Sequence, residues 1–233
     1  MKYISDPSND RLVTLCAEEV VNAISQSWIN LDAAHIVLTG GRTGFAIAKE
    51  IDLQLFRLIR QNSSFEGSML HIWFSDERFV AYANPDRNDT TLINGFALCK
   101  SNIVFHRVAE TGEVEAASAR YAGEVQLELG DLPFDAVTLS MGEDGHIASL
   151  FPGLIDISEH RAAIAVHNSP KAPLVRVSLS LSRIAKSKSI YIFVLGESKA
   201  AALQNINQGP VGLLEKSSRD GQLTILTDLS IPA

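Results

Sequence analysis

The sequence has little of what marks secreted, membrane-bound or metal-dependent proteins. It holds only two cysteines in 233 residues. Each lies in an apolar segment, Cys16 in LVTLC and Cys99 in FALC, which is the setting of a buried core thiol rather than of a disulfide or a catalytic pair. No apolar run approaches the ~18 residues that a spanning helix requires. The opening stretch MKYISDPSND has no basic segment followed by an apolar one, so no secretory signal is read there. These absences predict a reducing, cytoplasmic setting. Positive charge is also scarce: Lys and Arg number 20 against 27 Asp and Glu, a net charge of −7. That balance argues against nucleic acid or an anionic membrane as partner. It leaves room for a small anionic substrate if the basic contacts are few and clustered. There is no GK[ST] Walker loop and no G-x-G-x-x-G fingerprint. No His, Cys, Asp and Glu set has metal-ligand spacing, so no metal is expected.

What the chain does have is 46% hydrophobic residues, enough at this length for a core needing no disulfide or metal support. Asn9 to Trp28 repeats apolar residues at helical spacing, with Ser8 as N-cap. Ala34–Thr39 reads as a strand running into Gly40-Gly41-Arg42-Thr43-Gly44, followed by a helix from about Phe45 to Arg60. Met69–Phe74 is the next strand, ending in Ser75-Asp76-Glu77-Arg78, which reads as a charged loop. Thr90–Leu98 and Glu113–Leu129 are predicted helices, with a short strand Ile103–Phe105 between them. Phe134–Leu139 is a buried strand. Ala163–Val166, Val175–Leu181, Ser189–Leu195 and Leu223–Leu226 are further strands, and Glu197–Asn205 is a helix. No repeat, low-complexity segment or linker divides the chain. Strands alternating with helices predict an α/β fold: a single three-layer domain over residues 1–233, with a mainly parallel, doubly wound, Rossmann-like sheet and helices on both faces.

Four polar clusters fall at predicted strand carboxyl ends, which share one edge of such a sheet and can face one crevice. GGRTG (40–44) opens a helix and so offers backbone N–H groups and a helix dipole to an anion. SDER (75–78) supplies Arg78, a fork for a phosphate, and Asp76, able to orient a histidine or position water. GESK (196–199) supplies Lys199. In GEDGH (142–146), Gly142 and Gly145 hinge a turn that brings Asp144 and His146 together, a carboxylate beside an imidazole, the side chain whose ordinary titration lies near neutral pH. Ser140 and Ser149 lack the G-x-S-x-G setting of a nucleophile. His35 and His71, at strand starts, read as structural.

Taken in order, these motifs resemble the 6-phosphogluconolactonase family. LTGGRTG resembles its sugar-phosphate turn, WFSDERFV its W-x-x-D-E-R-x-V block, and NPDRNDT its D-S-N-Y segment through Asp86 and Asn88. LSMGEDGHIASLFPG is close to its G-x-D-G-H-x-A-S-L-F-P-G signature. SPKAPLVRVSLSLSRI resembles its P-K-P-P-x-R-x-T-L-T segment, and FVLGESKAAAL its G-x-x-K-A helix. Arg42 and Gly44 stand where the family has serine and proline, and Ser178 and Ser180 where it has threonines. Glucosamine-6-phosphate deaminase resembles this family in fold and shares D-G-H-I-A. It continues F-N-E-P-G, however, and its glutamate position is Phe151 here.

The resemblance implies cofactor-free hydrolysis of 6-phospho-D-glucono-1,5-lactone in the oxidative pentose phosphate route, by a monomer or small homo-oligomer. It implies His146 as general base, with Asp144 or Asp76 fixing its tautomer. It also implies a substrate and phosphate site drawn from Gly40, Gly41, Arg42, Thr43, Gly44, Arg78, Asn88, Gly145, Arg176 and Lys199. Two alternatives are a glucosamine-6-phosphate deaminase or isomerase and a non-catalytic sugar-phosphate-binding protein. Such sensors often carry an added DNA-binding domain, for which the early first helix is expected to leave no room.

Overall fold

The computed structural model describes residues 1–99, 102–156, 158–219 and 221–231. The chain runs β1 (Lys2–Ser5), α1 (Asn9–Leu31), β2 (Ala33–Leu38), α2 (Gly41–Gln61), β3 (Met69–Phe74), β4 (Asp76–Arg78) and α3 (Asn88–Ile93). It continues β5 (Ile103–His106), α4 (Val114–Leu129), β6 (Ala136–Ser140), β7 (Ala163–Val166), β8 (Arg176–Leu179) and α5 (Leu181–Ala185). It ends β9 (Ile190–Val194), α6 (Ala200–Gln204), α7 (Pro210–Ser217) and β10 (Leu223–Thr227).

Seven strands form one sheet in the order β1-β10-β9-β6-β2-β3-β5. Every neighbouring pair is parallel, as the alternation of strands and helices predicts. The central strands read as unbroken apolar runs because both faces are covered; β9, IYIFV, is buried at every position. Side chains alternate between the faces. Ile36, Leu38, Ile72 and Phe74 pack with α1 and α2, while Val37, Trp73, Val137 and Leu139 pack with α4, α5 and α7. Burial of about 25 cal/mol per Å² of apolar surface on both faces is what holds the three layers together.

Several local expectations need correction. Lys2–Ser5 is a strand, unannounced because it is a short edge with only its middle residues half-buried. SDER is not a free loop: Asp76–Arg78 pairs antiparallel with β8, which pairs antiparallel with β7, in a separate three-stranded sheet. The helix expected over Thr90–Leu98 stops at Ile93. Beyond it, the backbone N–H groups of Ala97, Leu98 and Cys99 donate to the buried carboxylate of Asp52 on α2. The helix expected over Glu197–Asn205 opens with a 3-10 turn, Glu197–Lys199. Helix α1 has the predicted cap, Ser8 Oγ accepting from the Arg11 N–H at 3.3 Å.

The connectivity decides where a ligand can sit. From β2 the chain steps outward to β3 and β5, then returns to place β6 on the other side of β2. The carboxyl ends of β2 and β6 therefore flank a switch point, the position at which open α/β sheets form a crevice.

Candidate active site

Each wall of that crevice begins with a turn. After β2, Gly40 is the N-cap of α2 and offers no side-chain cap, so the first-turn N–H groups of a 21-residue helix are open to an anion. A Cβ on Gly40 would lie 2.0 Å from Asn88 Oδ1, so the glycine lets Asn88 press against the turn. A Cβ on Gly44 would lie 1.8 Å from the Thr39 carbonyl oxygen; this glycine serves helix–strand contact and is buried beneath the site.

After β6, the Gly142 N–H donates to the His146 carbonyl at 2.8 Å and the Gly145 N–H to the Gly142 carbonyl at 3.0 Å. Gly145 takes φ +84, which favours glycine. A Cβ on Gly142 would fall 2.1 Å from His146 Cε1, so the imidazole occupies space that only glycine leaves free. His146 Nδ1 donates to Asp144 Oδ1, and the ring packs on Phe151 with centroids 4.7 Å apart. Burial pushes the Asp144 carboxyl up, but the hydrogen bond and charge of His146 outweigh it and hold the group below its usual range. An ionised Asp144 accepts only, so the shared proton sits on Nδ1, and Nε2 is the ring nitrogen left for other partners.

Asp76 bonds elsewhere. Its Oδ2 accepts from Ser149 Oγ at 2.6 Å and its Oδ1 from Ser75 Oγ at 3.1 Å, with Arg176 Nη1 at 3.9 Å. Of the two aspartates left open by the sequence, Asp144 is the one hydrogen-bonded to the imidazole.

The two turns, β4 and the segment after β9 enclose a cavity of about 210 Å³. It is lined by Gly40, Gly41, Asp76, Arg78, Asn88, His146, Arg176 and Lys199, all expected, together with Thr39, Ser140, Met141, Gly142 and Ala148. Three cations thus face one carboxylate in a protein whose net charge is negative. Burial lowers the pKa of Lys199 against the pull of Glu143 and Asp228, and its Nζ donates to Ser140 Oγ at 3.5 Å. Arg78 donates to the Asp86 carbonyl, while its buried Nε has no acceptor among the described residues. A bound anionic oxygen would supply one. Arg42 and Thr43 line an adjoining groove with Glu143 and Lys199. Asp144 and Gly145 border a concavity on the far side, with Pro152 and Gly209.

Sequence reasoning missed the support beneath the site. Glu77, read as part of a solvated loop, is wholly buried and accepts from backbone N–H groups at residues 78, 88 and 89. Arg87 is buried and grips Asp89 through Nε and Nη2. Two of the three Glu77 partners, Asn88 and Asp89, lie 11 and 12 positions away, so no local pattern betrays the burial of Glu77. His35 and His71 are structural, as expected: their rings stack at 4.3 Å, and His71 Nδ1 lies 2.9 Å from His106 Nε2. Among the described residues no group of three His, Cys, Asp or Glu side chains is placed to hold a metal ion. No described helix is long and apolar enough to cross a membrane.

Known proteins share both sequence and fold. The 6-phosphogluconolactonase of Streptomyces coelicolor is 32% identical over 205 residues, 80% of this chain and 75% of that protein. The structure of 6-phosphogluconolactonase from Trypanosoma cruzi superposes with a TM-score of 0.79 at 21% identity, over 97% of this chain and 93% of the other. A monomeric glucosamine-6-phosphate deaminase superposes with a TM-score of 0.75 at 19% identity, over 97% of each chain. These two structural likenesses speak to the fold alone. Residues 7–222 match the family described as "Glucosamine-6-phosphate isomerases/6-phosphogluconolactonase". With that match over most of its length, the chain belongs to the glucosamine-6-phosphate isomerase/6-phosphogluconolactonase family.

Proposed function

We propose that residues 1–233 form a single sugar-phosphate lactonase domain that hydrolyses 6-phospho-D-glucono-1,5-lactone to 6-phospho-D-gluconate in the cytoplasm. The observation that carries this reading is the pairing of His146 Nδ1 with Asp144 at the wall of a cavity holding Arg78, Arg176 and Lys199. His146 Nε2 takes a proton from water as the water oxygen bonds to the lactone carbonyl carbon. The tetrahedral intermediate then collapses, the bond from that carbon to the ring oxygen breaks, and His146 returns the proton to the ring oxygen. The new carboxylic acid ionises at neutral pH. Asp144 stabilises the imidazolium formed midway. Positioned acid–base catalysis of this kind is worth about 10²–10⁴-fold, enough for an already electrophilic lactone.

Arg78, Lys199 and the N–H groups of Gly41 to Thr43 hold the phosphate in this reading, with Arg42 and Arg176 as further contacts and Asn88 shaping the wall; Gly44, buried beneath the turn, and Gly145, which shapes the turn that carries His146, act without touching substrate. Asp76, tied to Ser149 and close to Arg176, positions water or substrate rather than the imidazole.

The fold alone does not choose between lactonase and deaminase, since both superpose on it. Phe151 does the choosing. It packs against the His146 ring at the position where the resemblance places the deaminase's glutamate, and it can neither ionise nor accept a hydrogen bond. The test is to assay the phospholactone beside glucosamine-6-phosphate. Acceleration of lactone opening with no ammonia release supports the reading, and the reverse pattern removes it.

A further inference from the structure

Glu77 stands between two cavity residues, Asp76 and Arg78, yet is itself fully buried. Its Oε1 accepts from the Arg78 N–H and the Asn88 N–H, both at 2.8 Å. Its Oε2 accepts from the Asp89 N–H at 2.8 Å and lies 3.8 Å from Arg87 Nη2. A carboxylate this deep is costly unless its oxygens are satisfied, and here three N–H donors and a buried guanidinium satisfy them.

What the arrangement joins is specific. Asn88 and Asp89 form the first turn of α3, whose own N-cap residue, Arg87, makes no side-chain cap bond. A local Ser or Asp at that position would cap the helix more simply. The cap comes instead from β4, across the loop 79–87. One carboxylate thus fixes the backbone of Arg78 relative to that of Asn88, and both side chains line the same cavity. Asn88 Nδ2 completes the tie by donating to the Asp76 carbonyl at 3.1 Å. Arg87 and Arg107 converge on Asp89 from behind and cover the Tyr82 ring at 4.6 and 4.0 Å.

We propose that Glu77 is a positioning residue for substrate recognition: it acts through Arg78 and Asn88, holding them in the one arrangement that meets the phosphate end of the substrate. This rests on the lactonase reading above. Burial and the neighbouring Asp89 push the Glu77 carboxyl up to about 7, against the N–H bonds and Arg87, so its charge changes near neutral pH.

The test compares wild type and Glu77→Gln on 6-phospho-D-glucono-1,5-lactone and on unphosphorylated D-glucono-1,5-lactone, with circular dichroism as a check of fold. The expected result is a KM for the phospholactone raised about tenfold or more, with kcat within about threefold. The preference for the phosphorylated over the plain lactone falls by a similar factor. In wild type, KM for the phospholactone rises as pH drops below neutrality more steeply than in Glu77→Gln, where the substrate phosphate, with its second pKa of about 6, still titrates. Equal losses on both lactones, or an unchanged KM, overturn the proposal. Should Glu77→Gln not fold, Glu77→Asp keeps the charge beside Arg87 and must show the same selective rise in KM. In the wild-type protein, fast hydrogen exchange at the Asn88 and Asp89 amides would also overturn it. A wild-type enzyme inactive on both lactones refutes the lactonase reading instead, while slow amide exchange would still support the tie.

Discussion

Replacing Asp144 by Asn tests how the imidazole is held. The substitution keeps the side chain's shape, so the turn from Gly142 to His146 should form unchanged. What changes is the partner of Nδ1. Asp144 Oδ1 now accepts from both the ring Nδ1 and the His146 backbone N–H. An Asn oxygen can still accept, but its charge is gone when the imidazolium forms midway through the reaction. A hydrogen bond to a charged group contributes about 1.5–3 kcal/mol. At about 1.4 kcal/mol per decade, kcat should fall by about 10- to 150-fold, with KM little altered because no phosphate contact is touched. Asp144 keeps 39% side-chain exposure, so solvent screening favours the lower part of that range. The assay is initial-rate hydrolysis, corrected for spontaneous lactone opening. Because Asp144 acts through His146, Asp144→Asn added to His146→Ala should cost nearly nothing more. A kcat within about threefold of wild type, or full additivity in the double variant, would refute the assignment.

Three further outcomes follow from the same geometry. Gly142→Ala introduces a Cβ 2.1 Å from His146 Cε1; displacing the ring by about 1 Å should lower kcat by about 100-fold with KM nearly constant, as steady-state kinetics would show. Arg78→Ala removes a guanidinium from the cavity wall and should raise KM for the phospholactone about tenfold or more, and a pure kcat loss would contradict a phosphate role. The fold should weaken in mild acid. Burial, then the proximity of His71, pulls His35 down to about 4 from its usual value of 6.5, and burial also lowers His71. Above pH 6.5 both rings are neutral folded or unfolded; as pH falls toward 4 the unfolded chain takes up the proton first, so stability is lost across that window. Discounted for partial exposure, His35 contributes about 1–2 kcal/mol. Urea midpoints at pH 7, 5.5 and 4 check this, and a flat profile would sink it.

The parts of the fold that were legible in the sequence are those written in local patterns. Strands such as Met69–Phe74 and Ala163–Val166 match their apolar runs; the first lies inside the parallel sheet, where covered faces favour apolar side chains. The Gly-hinged pairing of Asp144 and His146 was also legible, since both residues and both glycines lie within one turn. What was hidden depends on distant partners. SDER looks like a solvated loop until β8, about a hundred positions later, pairs with it. Glu77 looks exposed until α3 folds over it. Asp76 and Asp144 looked equivalent because the Ser149 hydroxyl that engages Asp76 is 73 positions away. The helices Leu181–Ala185 and Pro210–Ser217 were missed because each is only one or two turns long, too short for periodicity to emerge.

The proposed mechanism turns on His146 removing a proton from the water that opens a phosphorylated lactone. The most direct measurement is the rate of 6-phosphogluconate formation by wild type and His146→Ala at saturating 6-phospho-D-glucono-1,5-lactone, with spontaneous hydrolysis subtracted. With His146 as the base, kcat falls by about a hundredfold or more while circular dichroism and KM stay close to wild type. A His146→Ala enzyme that turns over at the wild-type rate would contradict it.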